Sequence, residues 1–275
     1  MSDYLITKLE GYKEALNNAG ISAVDTMDID ETPGLLVNFE GMQSVFVSFV
    51  EGNEFEPEII RISVQTTGAK ENAFPEDIRY NHMLLSTSEV DSIEKLKKYT
   101  ALFLSGKTLK VYPVAEQVTG EEESEGEVSL VPRINALTES FLMAGAEDAQ
   151  AGIGKIPFSI VADDDIAFVA AFERLSDDEQ LLHFRTDLAY TEEDRKDIEE
   201  FVDSFNESSL FTKCSLDNDD LGVFGDEEDL VVTFHACTLD NGAMKRESFY
   251  GFFASLFEYE VRQFMDEYLG VEEEE

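Results

Sequence analysis

Two cysteines, three histidines and a large surplus of carboxylates are the groups in this chain that could do chemistry. Cys214 and Cys237 lack the CxxC spacing of a redox pair, have too few partners for a zinc site and are too few for a secreted disulfide scaffold. A nucleophilic thiol needs a base beside it, and His82, His183 and His235 are scattered along the sequence. His183 alternates with Leu182 and Phe184, and His235 with Phe234 and Ala236. Both are therefore expected on the sheet face opposite the core, as surface histidines. Cys237 shares the face of His235 while Cys214 lies with Leu210 and Leu216, so the two thiols should point to opposite sides and form no disulfide.

Two loops come near known ligand patterns. Asp217, Asp219, Gly222 and Glu228 fall at positions 1, 3, 6 and 12 of a helix-flanked calcium loop, but Leu221 stands where position 5 needs an oxygen, and both flanks read as strands. Gly152-Ile153-Gly154-Lys155 looks like the end of a phosphate loop, but Ala149 replaces the first glycine and Ile156 the magnesium-binding hydroxyl. The acidic runs lack an apolar setting that would raise a carboxyl pKa for acid catalysis, and read as solvated turns. No catalytic, cofactor-binding or metal-ligating residue is assigned, and the chain is expected not to be an enzyme.

Charge narrows the partners. Sixty acidic residues against 20 basic ones give a net charge of -40 at pH 7, which repels nucleic acid and anionic membranes and leaves cationic partners open. The chain opens with helical spacing and acidic groups instead of a basic segment with an apolar run, and no stretch of about 18 apolar residues occurs. A cytoplasmic location is expected. Trp is absent, but 21 Phe supply the large apolar side chains of a folded core.

At 275 residues the chain is long enough for two domains, each with its own core. In the first, Leu5, Leu9, Tyr12 and Leu16 predict an amphipathic helix over 4–18 closed by Gly20. Strands are predicted over 35–40, 44–50 and 58–66, with Ile60, Ile62 and Val64 on one face. Residues 68–89 give no readable pattern. A helix follows over 93–104, lined by Ile93, Leu96, Thr100 and Phe103; strands over 108–115 and 128–131; and a helix over 135–150. Gly152, Gly154 and Pro157 mark the expected boundary, giving units 1–151 and 152–275.

The second unit is predicted to hold strands over 156–161, 166–173 and 181–187, then a helix that Thr191 and Asp194 cap and Ile198, Phe201, Val202 and Phe205 line. Strands over 210–216 and 230–238 lead through Asn241-Gly242 into a long helix over 245–268. Each half then reads as three strands, a helix, two strands and a helix, with an extra amino-terminal helix belonging to the first alone. The fold class is α+β: two tandem units of antiparallel sheet covered by helices.

The last helix carries Phe249, Phe253, Leu256, Phe257, Val261, Phe264 and Tyr268 on one broad face, widened by Tyr250, Phe252 and Tyr259. A helix apolar around most of its girth is covered on two sides, so Phe249, Tyr250, Phe252, Leu256 and Tyr259 are the candidate partner surface.

The helix Asp194–Phe205 ending in Asn206, the acidic hairpin Phe211–Cys237 and the turn Asp240-Asn241-Gly242 before a Phe-rich helix resemble the YbjN-type bacterial family, over about residues 156–270. Its members look like the class I chaperones of type III secretion systems in fold. That resemblance implies small, acidic, non-enzymatic proteins that hold client segments, a two-unit chain then looking like a fused dimer, and it supplies no catalytic residues. The expected function is a non-enzymatic protein-binding or chaperone-like module that binds a protein client or itself. The alternative is an acidic decoy or regulator of a basic nucleic-acid-binding protein, its carboxylates imitating phosphates.

Overall fold

The structure is a computed structural model that describes residues 3–27, 32–52, 57–65, 80–106, 131–152, 158–163, 166–176, 178–190, 195–218 and 230–269. The described residues form five helices and 11 strands, and within each unit the strands pair antiparallel. It divides into two units, Met1–Thr108 and Leu109–Glu275.

The first unit opens with helix α1 (Asp3–Asn18), followed by strands β1 (Ser22–Met27), β2 (Pro33–Asn38), β3 (Val45–Val50), β4 (Ile59–Gln65) and β5 (Tyr80–Ser86), and closes with helix α2 (Ile93–Leu104). The strands form a meander in sequence order. Leu9 and Leu16 of α1 are buried, and the Tyr12 ring meets Phe49 of β3 edge-on at 5.0 Å. Ile60, Ile62 and Val64 are buried on β4 while Arg61 and Ser63 are only half covered, the alternation expected of a sheet with one better-covered face. Ser92 caps α2 by accepting from Lys95 N at 3.3 Å, and Leu96, Tyr99, Thr100 and Phe103 make its buried face.

The second unit runs α3 (Val131–Ala144), β6 (Asp148–Gly152), β7 (Phe158–Asp163), β8 (Ile166–Arg174), β9 (Gln180–Tyr190), α4 (Arg195–Ser208), β10 (Lys213–Asn218), β11 (Leu230–Asp240) and α5 (Arg246–Leu269). β6 to β9 form a meander; β11 lies against the whole of β9, and β10 against the first half of β11. One sheet face carries Phe168, Phe184 and Phe234, and the helices cover it. Phe141 of α3 meets Phe168 at 6.0 Å, Phe257 of α5 meets Phe168 and Phe184 at 5.6 Å, and Phe264 of α5 meets Phe234 at 4.9 Å and Phe205 of α4 at 5.5 Å. Each buried Phe contributes about 1.5–3 kcal/mol through area alone, and tilted and edge-on ring pairs add about 0.5–1.5 kcal/mol. This lattice is the core in a chain without Trp.

The first described helix of each unit ends in the same way. α1 ends with Gly20 at φ 77°, and α3 with Gly145 at φ 113°. In each the glycine N–H bonds back three residues (Gly20 to Asn17, Gly145 to Leu142) and the next N–H bonds back five (Ile21 to Leu16, Ala146 to Phe141). This double bond pattern needs a left-handed residue at the glycine position, which is why both helices stop there. An antiparallel meander follows each, of five strands in the first unit and four in the second. A helix ahead of the meander is therefore common to the described parts of both units and not an addition to the first.

The same cap corrects the helix expected over 135–150, which stops at Ala144 and gives way to β6. The division at Thr108 falls upstream of the boundary expected after residue 151, because α3 and β6 pack with β7 in the second unit. The expected strands over 108–115 and 128–131, with the loop between them, lie outside the described residues, apart from Val131 at the start of α3.

Candidate functional site

The register of the second sheet gathers the reactive side chains on the face away from the helices. His183 stands opposite Cys237 and Ala171, and Arg185 opposite His235. Cys214 stands opposite Phe234 on the helix-covered face, and both cysteines are free. The faces expected of these residues are those found.

Their exposure is not as expected. His183 is 3% exposed and His235 7%, so both are buried and neither is a surface histidine. Period-two alternation tells which face a residue occupies and not whether that face is covered. His183 Nδ1 lies 3.4 Å from His235 Nε2 with the rings stacked, and His183 Nε2 lies 3.9 Å from Cys237 Sγ and 3.8 Å from a Glu173 carboxylate oxygen. Arg185 completes the face, donating through Nε at 3.0 Å and Nη2 at 2.7 Å to the two carboxylate oxygens of Asp187, two residues along the same strand. That fork-on-fork pair satisfies two buried charges at once.

The arrangement has the residue types of a thiol–imidazole–carboxylate set but not its geometry or protonation. The thiol and the carboxylate both approach the same nitrogen of His183, whereas a relay needs them on opposite nitrogens. Burial, reinforced by the nearby Glu173 charge, pushes the Cys237 thiol well above its ordinary range. Burial and the Arg185 guanidinium bring His235 down to about 4. At neutral pH the Cys237 thiol stays protonated, which favours hydrogen bonding over nucleophilic attack. Among the described residues no three His, Cys, Asp or Glu side chains are grouped to hold a metal ion.

The near-miss loops divide differently. The flanks of the acidic loop are strands β10 and β11, as expected, but residues 219–229 lie outside the described residues, as do Thr191 and Asp194. Of the phosphate-loop look-alike Ala149 to Gly152 are described, in strand β6, and Gly152 ends that strand beneath the Phe158 ring, where any Cβ would collide with the ring.

The candidate partner surface on α5 separates into two. Phe249 and Tyr250 are buried in their own unit, the Tyr250 hydroxyl donating to Asp240 at 2.8 Å, so they are core residues and not surface. Phe252 and Leu256 are half-buried, and Tyr259 is 59% exposed. The breadth of the apolar face, which suggested an outside partner for the helix, is largely absorbed by α3 and α4: Phe141 approaches Tyr250 at 6.0 Å and Phe201 approaches Phe264 at 5.2 Å.

Two residues that carried the resemblance turn out to hold the fold. Asn206, at the end of α4, bonds the backbone of Cys214 in β10 through both ends of its amide. Asp240 accepts from Gln180 at 2.7 Å, from Tyr250 and from Gly242 N at 2.9 Å, tying β9, β11, the turn and α5 together. A carboxylate not singled out from sequence does comparable work: Glu260 of α5, 4% exposed, accepts from the backbone N–H groups of Leu210, Phe211 and Thr212. An acidic residue interrupting an aromatic helix is its only signal in the sequence.

No family model, curated protein or solved structure matches the chain. Among the described residues no helix is long and apolar enough to cross a membrane.

Proposed function

We propose that this chain is a non-enzymatic protein-binding module, chaperone-like in the sense that its resemblance to the YbjN-type family implies, with two units that descend from one duplicated fold. The observation that carries the reading is the remaining flank of α5, where Phe252, Leu256 and Tyr259 keep apolar surface open after the unit's own helices have packed. Exposed aromatic and aliphatic residues of this kind anchor protein interfaces. The protonated Cys237 thiol on the opposite sheet face favours binding over catalysis. The shared helix–glycine–meander opening of the two units supports the duplication, and the bonds made by Asn206 and Asp240 give the resembling residues an architectural role.

The net charge of -40 favours a second reading, an acidic decoy for a basic nucleic-acid-binding protein. Affinity capture from a lysate at about 0.1 M and about 1 M salt separates the two, since screening shortens from roughly 10 Å to roughly 3 Å. A client held by the α5 flank stays bound at high salt; a decoy's partner washes away. Retention of no protein at either salt overturns both.

A further inference from the structure

The open residues of α5 have a spacing of their own. Phe252, Leu256, Tyr259, Gln263 and Asp266 follow one another at steps of four, three, four and three residues, the seam against which a second helix packs. Their exposure grows along the helix, from half-buried Phe252 and Leu256 to exposed Tyr259, Gln263 and Asp266. Gln263 Nε2 donates to the Tyr259 hydroxyl at 3.1 Å along the seam. From Phe252 to Asp266 the seam spans about 21 Å at 1.5 Å per residue.

Its charge is one-sided. The last turn of α5 contains no basic residue, and Asp266 and Glu267 stand exposed at the end where the helix macrodipole is already negative. Arg262, the nearest basic residue in sequence, is engaged with Glu258 at 2.9 Å. The seam thus passes from apolar to acidic along its length.

Building on the binding role, we propose that this seam docks a cationic amphipathic helix of a partner protein, its apolar residues on Phe252, Leu256 and Tyr259 and its Lys or Arg residues at Asp266 and Glu267. A second copy of this chain fits poorly. Parallel self-pairing sets Asp266 against Asp266, antiparallel pairing sets Asp266 against Phe252, and either brings together two chains of charge -40.

The test measures fluorescence anisotropy of a labelled Lys/Leu peptide of about 18 residues with leucines at heptad spacing. A scrambled peptide of the same composition and a Glu/Leu version serve as controls. The amphipathic peptide should bind the full chain at least about tenfold more tightly than the scrambled one, and Tyr259→Ser should weaken it about fivefold or more. Asp266→Lys with Glu267→Lys should weaken the Lys/Leu peptide and strengthen the Glu/Leu one, a reciprocal change that misfolding cannot produce. Equal binding of scrambled and amphipathic peptides overturns the proposal, as does indifference to both sets of variants. A dimer in sedimentation velocity that Tyr259→Ser dissolves also overturns it, making a second copy the occupant. Those outcomes leave the binding role standing; only a chain that captures no protein removes it.

Discussion

Asn206 bonds Cys214 from both ends of its side-chain amide: Nδ2 donates to Cys214 O at 2.8 Å and Oδ1 accepts from Cys214 N at 2.9 Å. An amide matches a peptide group donor for acceptor, so the end of α4 imitates a neighbouring strand along β10. Lys213 reinforces the junction by donating to Asn206 O at 2.8 Å. Asn206→Ala would orphan two buried backbone groups, and Asn206→Asp would lose the donor. We expect Asn206→Ala to lower stability by about 2–4 kcal/mol, at about 1–3 kcal/mol per unsatisfied group, measured by urea unfolding.

Glu260 presents a similar case with charge. Its two oxygens receive Leu210 N and Thr212 N at 2.6 Å and Phe211 N at 3.1 Å. These N–H groups explain why β10 begins at Lys213 and not at Leu210, where alternation alone would start it. Glu260→Gln keeps one accepting oxygen but turns an NH2 toward backbone donors. A loss of about 1.5–3 kcal/mol is expected from the charged hydrogen bonds, read from the same unfolding curves.

Acid should act through His235. Burial and Arg185 hold it at about 4 in the folded chain, below the ordinary 6.5 of the unfolded state, so on acidification the unfolded chain takes up the proton first. Its contribution is fully present above pH about 6.5 and is lost as the pH falls through about 4, to a total of about 3 kcal/mol at 1.36 kcal/mol per pH unit. His183, Cys237, Glu173 and Arg185 share the face, and the other carboxylates add pH dependence of their own. The difference between wild type and His235→Gln, measured by urea unfolding from pH 7.5 down to about 4, isolates this part. Wild type should show the steeper loss.

The helices were largely legible because their apolar positions recur at helical spacing and their ends carry local chemistry: α2 was readable from Ile93 to Leu104, and Gly20 marked the end of α1. The missed strands lacked a pattern to read. β1 buries only Ala23 and β6 only Ala149, so backbone pairing at the sheet's edge places them, with no alternating apolar face. In β5, Met83, Leu84 and Leu85 are all buried, and a strand covered on both faces does not alternate. The same limit governs the candidate site. Alternation put His183, His235 and Cys237 on one face, but their burial depends on a second covered face that is not encoded in their spacing. Likewise, the fate of Phe249 and Tyr250 rests on how α3 and α4 pack around α5.

The central claim, binding through the open flank of α5, is tested most directly by quantitative affinity capture with wild type beside Phe252→Ser/Tyr259→Ser, both confirmed folded by circular dichroism. A set of proteins should be retained by wild type at about 1 M salt, where charge attraction is screened within roughly 3 Å, and depleted on the variant. The same proteins retained equally by both chains would contradict it.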